Sequence, residues 1–187
     1  MVDSINIVGN SKHITSRRTR PPADSPQSAP DKDGVQLKAI QAHLDQHPEI
    51  KYVYYDYSCL PQGEQTEEER NDFRRMLSEM RMLYLGASVL LLVDLSCLSR
   101  FWTQLEAWLS LQMCTPDGLA PASAEARRCT IVPIYNANDY IKDALVDMWS
   151  SKTPAEAYDI LARPDVMVTN MSDKDAQLPR ISRWMIV

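Results

Sequence analysis

The stretch Val89 to Met113, VLLLVDLSCLSRFWTQLEAWLSLQM, does most to restrict what this chain can fold into. It opens as an unbroken apolar run with the length and branching of a buried strand, and it closes with apolar residues at helical spacing. A strand that is apolar on both faces belongs inside a sheet that helices cover on each side. The pattern predicts a strand over 88–95 and an amphipathic helix from Ser99 or Arg100 to Met113. On a wheel of about 100° per residue, Phe101, Trp102, Leu105, Trp108, Leu109, Gln112 and Met113 share one arc, with Glu106 at its edge.

The rest of the chain alternates in the same way. Ile5 to Val8 or His13 to Thr15 supplies a first strand, and the segment from Arg20 to Gly34, rich in Pro, Ser and Asp, reads as an exposed loop. A helix follows from Val35, with Leu37, Ile40 and Leu44 on one side and Pro48 as its stop. Lys51 to Tyr57 is a strand. Thr66 and Glu69 form a capping box that opens a long helix, whose face is Phe73, Met76, Leu77, Met80, Leu83 and Tyr84 and whose end is Gly86. After a loop around Thr115 to Ala126 come a strand from Cys129 to Tyr135, helices over 137–149 and 154–161, a short strand over 165–169 and, from Asp173 to Val187, a short helix or irregular tail ending in Trp184-Met185-Ile186-Val187.

With strands and helices alternating and no hairpin signals, the predicted class is α/β. A three-layer, flavodoxin-like arrangement is expected, with a mostly parallel sheet of about five strands. Residues 1–33, strand and Pro/Ser-rich loop, are expected to belong to the same domain as 34–187. In such sheets ligands bind beyond the carboxyl ends of the strands, which selects Asp56 to Gln62, Asp94 to Trp102 and Tyr135 to Asn138 as site loops.

Composition narrows the partners. A formal charge of -5 over 187 residues supplies no basic field for nucleic acid, and the one basic run is Arg17, Arg18 and Arg20. No apolar stretch reaches the roughly 18 residues a membrane span needs, and the start lacks the apolar core of a secretory signal. Cys59, Cys97, Cys114 and Cys129 have no metal-binding spacing and read as free thiols, which places the protein in a reducing cytosol without a metal.

Several residues can carry chemistry, and each has an ordinary alternative. Glu106 is either a solvated boundary residue or a carboxylate emerging beside Trp102. Trp102 either walls a ligand or packs in the core. Ser99 and Arg100, near a helix amino terminus, meet phosphate oxygens, or are a cap and a surface charge. Asp56 binds a substrate hydroxyl or caps its turn. Cys59 is a nucleophile or a buried thiol, and His13, His43 and His47 give it no evident partner. Arg17 touches phosphate or solvates its loop.

The segment from Ser99 to Glu106, with Trp102 four residues before Glu106, resembles the S-x-W-C-x-x-E segment of Toll/interleukin receptor (TIR) domains, with Thr103 where Cys is usual. The later CTIVPIYN is similar to a TIR strand in the expected order. Asp56-x-x-Cys59-Leu60-x-Gln62, with Met80, Tyr84 and Ala87 ahead of the Val89 run, resembles the signature of heterokaryon-incompatibility (HET) domains, which are thought to be TIR-like. Together these cover about 34–136.

The resemblance implies cleavage of the nicotinamide N-glycosidic bond of NAD, by hydrolysis or cyclisation, in cell-death, defence or toxin signalling. NAD would then be substrate, with no cofactor. Glu106 would be catalytic, and Trp102, Ser99, Arg100, Asp56, Ser58, Cys59 and Arg17 would be substrate-binding. A self-associating signalling module without catalysis and another nucleotide chemistry, such as cyclic nucleotide synthesis or nucleoside transfer, are the competing expectations. Homo-oligomers are expected of such domains.

Overall fold

The computed structural model describes residues 5–9, 31–55, 59, 65–168 and 171–183. In chain order its elements are β1 (Ile5–Gly9), α1 (Val35–Gln46), β2 (Tyr52–Tyr55), α2 (Glu67–Glu79), α3 (Arg81–Gly86), β3 (Val89–Val93), α4 (Phe101–Ser110), β4 (Gln112–Thr115), β5 (Gly118–Pro121), β6 (Cys129–Pro133), α5 (Asp139–Trp149), α6 (Pro154–Leu161) and α7 (Met171–Ser182). A 3-10 turn over Leu95–Ser99 joins β3 to α4.

The fold is α/β, and β3 is its axis. Every residue of β3 is buried, and its side chains divide strictly by the strand period of two. Val89, Leu91 and Val93 enter a large cluster built with α3 to α7, whereas Leu90 and Leu92 enter a smaller one with Val35, Ala39, Ile40 and Leu44 of α1. Helices therefore cover both faces of the sheet, as a strand without polar residues requires.

The sheet itself departs from expectation. Its order is β2-β1-β3-β6, and β1 is antiparallel to both neighbours, leaving β3 and β6 as the parallel pair among the described strands. The expected mostly parallel sheet of about five strands is thus a mixed sheet, in which β2, β3 and β6 share a direction and β1 opposes them. Direction is enforced only where a short crossover joins two strands. Residues 10–34 form a connection between β1 and α1 long enough to allow either sense.

A second departure lies after α4. The helix stops at Ser110, and the chain turns into the hairpin β4–β5, where a loop and no hairpin were expected. The turn is Thr115-Pro116-Asp117-Gly118, a sequence suited to it because Pro fixes its own φ and Gly118 adopts φ 111°. Thr115 Oγ1 closes it, donating to the Gly118 carbonyl at 2.9 Å and accepting from the Asp117 N–H.

The long helix expected from Thr66 to Gly86 is broken at Met80 into α2 and α3. Its start follows expectation: Thr66 accepts from the Glu69 N–H, and the Glu69 carboxylate accepts from the Thr66 N–H. The short strand foreseen over 165–169 is a bridge, in which Met167 N–H donates to the Ser99 carbonyl at 2.7 Å and Phe101 N–H donates to the Met167 carbonyl at 2.8 Å. No described helix is long and apolar enough to cross a membrane.

Candidate functional site around Glu106

α4 is not amphipathic. All its residues except Trp102 are buried, because α3, α5 and α6 pack around it and the 3-10 turn closes its front. Polar groups in such a helix need internal partners. Gln104 Nε2 donates to the Leu98 carbonyl at 2.9 Å, and Ser110 Oγ donates to the Ala107 carbonyl at 2.9 Å. Glu106 is 6% exposed, and Tyr84 Oη, reaching across from α3, donates to its Oε1 at 2.7 Å.

Trp102 and Glu106, one turn apart, do share a space. They line a crevice whose other walls include Met80, Arg81, Tyr84 and, from α7, Gln177. Its volume is about 10 Å³, room for one water at most. The indole of Trp102 stands edge-on to Phe101, with ring centroids 5.7 Å apart, which fixes one side of the opening. Burial lowers the pKa of Arg81, and the nearby Arg180 and Arg183 lower it further, against a smaller upward pull from Glu79. Arg81 thus puts one guanidinium on the crevice wall opposite the carboxyl of Glu106.

The remaining candidates divide. Ser99 ends the 3-10 turn and donates to the Ser96 carbonyl at 3.0 Å; it does not cap α4. Arg100 occupies the cap position without a side-chain cap bond. The first N–H of α4, that of Phe101, is taken by the Met167 carbonyl and is not open to a phosphate. Cys59 is half-buried and packs against the large core cluster. Asp56, Ser58, Arg17 with its neighbours Arg18 and Arg20, and the Trp184–Val187 tail lie outside the described residues.

The carboxyl ends of β3 and β6 meet as expected. Asp94 begins the 3-10 turn by accepting from the Ser96 N–H at 2.8 Å, and the Leu95 N–H reaches Asn136 Oδ1 at 3.4 Å. Tyr135 adopts φ 53°, a conformation that costs a residue with a bulky side chain, and its hydroxyl donates to Asp31 Oδ1 at 3.4 Å. Asp31 in turn accepts from the Gln36 and Leu37 N–H groups, satisfying the first turn of α1, where Gly34 turns the chain with φ 65°. Partial burial pulls the Asp31 carboxyl upward, but these N–H groups and the Tyr135 hydroxyl outweigh it and hold the pKa below its usual value.

Sequence reasoning missed Tyr84 as the partner of Glu106, because its spacing on the helix face marked it only as apolar. It also missed two cations that tie the layer together. Arg128 donates to the carbonyls of Tyr84, Ala87 and Gln112, closing the end of α3 onto β4. Lys174, 5% exposed, donates to the carbonyls of Arg163 and Val166 at the end of α6. Isolated charges without periodic context leave no such signal.

Burial and the nearby Asp94 push the Cys97 thiol up to about 11. Burial likewise pushes Cys129 up to about 11, against the lowering effects of Ser110, Arg128 and Arg127. Both shifts disfavour the reactive thiolate near neutrality. Among the described residues no group of three or more His, Cys, Asp or Glu is placed to hold a metal. Compared with known proteins, the chain matches no family model, and no curated protein or solved structure is significantly similar to it.

Proposed function

We propose that this chain is a TIR/HET-like domain that cleaves the nicotinamide N-glycosidic bond of NAD, with Glu106 as the carboxylate that steadies the oxocarbenium-like centre. The observation that carries the reading is the pairing of Glu106 with Trp102 in one crevice, its carboxylate held by Tyr84 at 2.7 Å. A carboxylate fixed in advance in a dry site stabilises developing positive charge without reorganising. The bond to nicotinamide breaks with its electron pair going to the leaving ring, and water or a ribose hydroxyl takes the anomeric carbon and releases a proton.

The flavodoxin-like part of the proposal is supported by the order β2-β1-β3-β6, in which the first strand lies between the second and third as in sheets of that type, with β1 inverted as the departure. Because the crevice takes no nucleotide as it stands, activity requires it to open, and self-assembly at high concentration is the condition we assign to that opening. Nicotinamide release from NAD by concentrated full-length protein, lost in Glu106→Gln, is the expected result. Equal release by the variant, or none from the wild type at any concentration, overturns the proposal.

The closed crevice favours one further reading, a signalling module that associates without catalysis. Light scattering that shows assembly while NAD stays intact would select it.

A further inference from the structure

Beside the Glu106 crevice lies a second hollow, a groove of about 360 Å³ between β2 and the α2–α3 break. Among the described residues its walls are Tyr54, Met76, Met80, Met82, Leu83 and the charged Glu79. Met80 is common to the two linings, so a groove of useful size and the crevice that holds Glu106, with room for one water, adjoin at this residue. Its sulfur accepts from Tyr54 Oη at 3.4 Å, which holds the thioether toward the groove wall that Tyr54 forms.

Methionine is suited to such a position. Its side chain has three rotatable bonds and no branch, so it fills a gap and leaves it at small cost. The backbone allows this too, since Met80 sits at the junction between α2 and α3 and not within a continuous helix.

We propose that Met80 is a swinging gate, and that turning its side chain aside joins the groove to the crevice and makes the groove the route by which a ligand group reaches Glu106. The inference takes Glu106 as the ligand-facing carboxylate from the preceding reading, but the gate operates whether or not NAD is cleaved. The walls of the route dictate what passes: a flat or slender group with little charge, bordered by thioethers, Leu83 and the Tyr54 ring. The Arg81 guanidinium lies on the crevice wall, ahead of the entering group and beside Glu106.

The test is read without turnover, so its failure is distinct from a failure of NAD cleavage. The full-length protein is treated with a carbodiimide and glycine ethyl ester, and labelling of each carboxylate is followed by peptide mass spectrometry. In the wild type, exposed Glu79 labels and Glu106 is protected. In Met80→Ala, Glu106 labelling relative to Glu79 rises about tenfold or more, as expected when an opening is made permanent. Met82→Ala, which trims a residue of the groove alone, leaves Glu106 protected and controls for general loosening.

Should Met80→Ala fail to fold, Tyr54→Phe releases the sulfur without removing volume, and a severalfold rise in Glu106 labelling is expected. Labelling of wild-type Glu106 at the rate of Glu79 overturns the proposal. So does labelling in the folded gate variant, Met80→Ala or Tyr54→Phe, that is no faster than in Met82→Ala.

Discussion

Tyr84 Oη and Glu106 Oε1 lie 2.7 Å apart in the seam between α3 and α4, and this bond joins the residue that sequence singled out to one that it did not. Both side chains are buried, so water is a poor substitute for either.

Tyr84→Phe is therefore expected to cost about 1–3 kcal/mol of folding stability, because a donor to a buried carboxylate is lost and the shape is kept. Glu106→Gln retains an acceptor for the tyrosine and is expected to cost less. Urea unfolding of the two variants decides the matter. A loss in Tyr84→Phe below about 0.5 kcal/mol would show that the bond is not made in solution.

Asp31 links stability to acid. Its carboxyl titrates below its unfolded value, so the ionised form is favoured in the folded chain. The stabilisation is present above the unfolded pKa, near the ordinary 3.8, and is lost as pH falls through the folded value. Asp31→Asn is expected to lose about 1 kcal/mol near neutrality, by weakening the cap of α1, and to show a shallower fall below about pH 4. Thermal melts across that range test both expectations.

Gln112, fully buried at the start of β4, has an amide whose oxygen and nitrogen make no hydrogen bond. Its backbone carbonyl, by contrast, accepts from Arg128 at 2.8 Å. Replacing the side chain by one of similar volume that needs no partner removes a desolvation cost. Gln112→Met is expected to stabilise the fold by about 1 kcal/mol, measured by denaturant midpoint. A destabilised variant would mean that water or another group serves the amide.

The cysteines sort by environment. Cys97 and Cys129, each pushed up to about 11, stay protonated near neutrality, whereas Cys114 is exposed. Iodoacetamide applied to the native protein is expected to modify Cys114 first and to spare Cys97 and Cys129 until urea is added. Early alkylation of Cys129, which is half-buried, would show that its thiol is not held protonated.

What was legible in the sequence was whatever rests on local pattern. The apolar run at Val89, the capping box at Thr66 and the helix from Pro154 are fixed by residues within a turn or two of one another, and all stand where the spacing put them. The direction of β1 was not legible, because its partners lie in β2 and β3, far along the chain. The environment of Glu106 was misjudged for a similar reason. A helical wheel reads one helix, while burial of α4 on all sides comes from α3, α5 and α6 closing around it. Pro116-Asp117-Gly118 carries a turn signal, but only the pairing of β4 with β5 makes the turn a hairpin.

The inverted β1 also bears on how the chain assembles. β2 and β3 do not touch within the sheet; each is paired to β1, which precedes both in the chain. Val8 waits for Val53, and Ile7 waits for Val89, before either ladder can form. Sheet closure thus depends on contacts between distant parts of the chain, which slows folding. Without Val89 to Val93 the sheet offers β1 and β2 alone, a two-stranded ribbon that is marginal in water, so the strand that carries the core is also the one that completes the sheet.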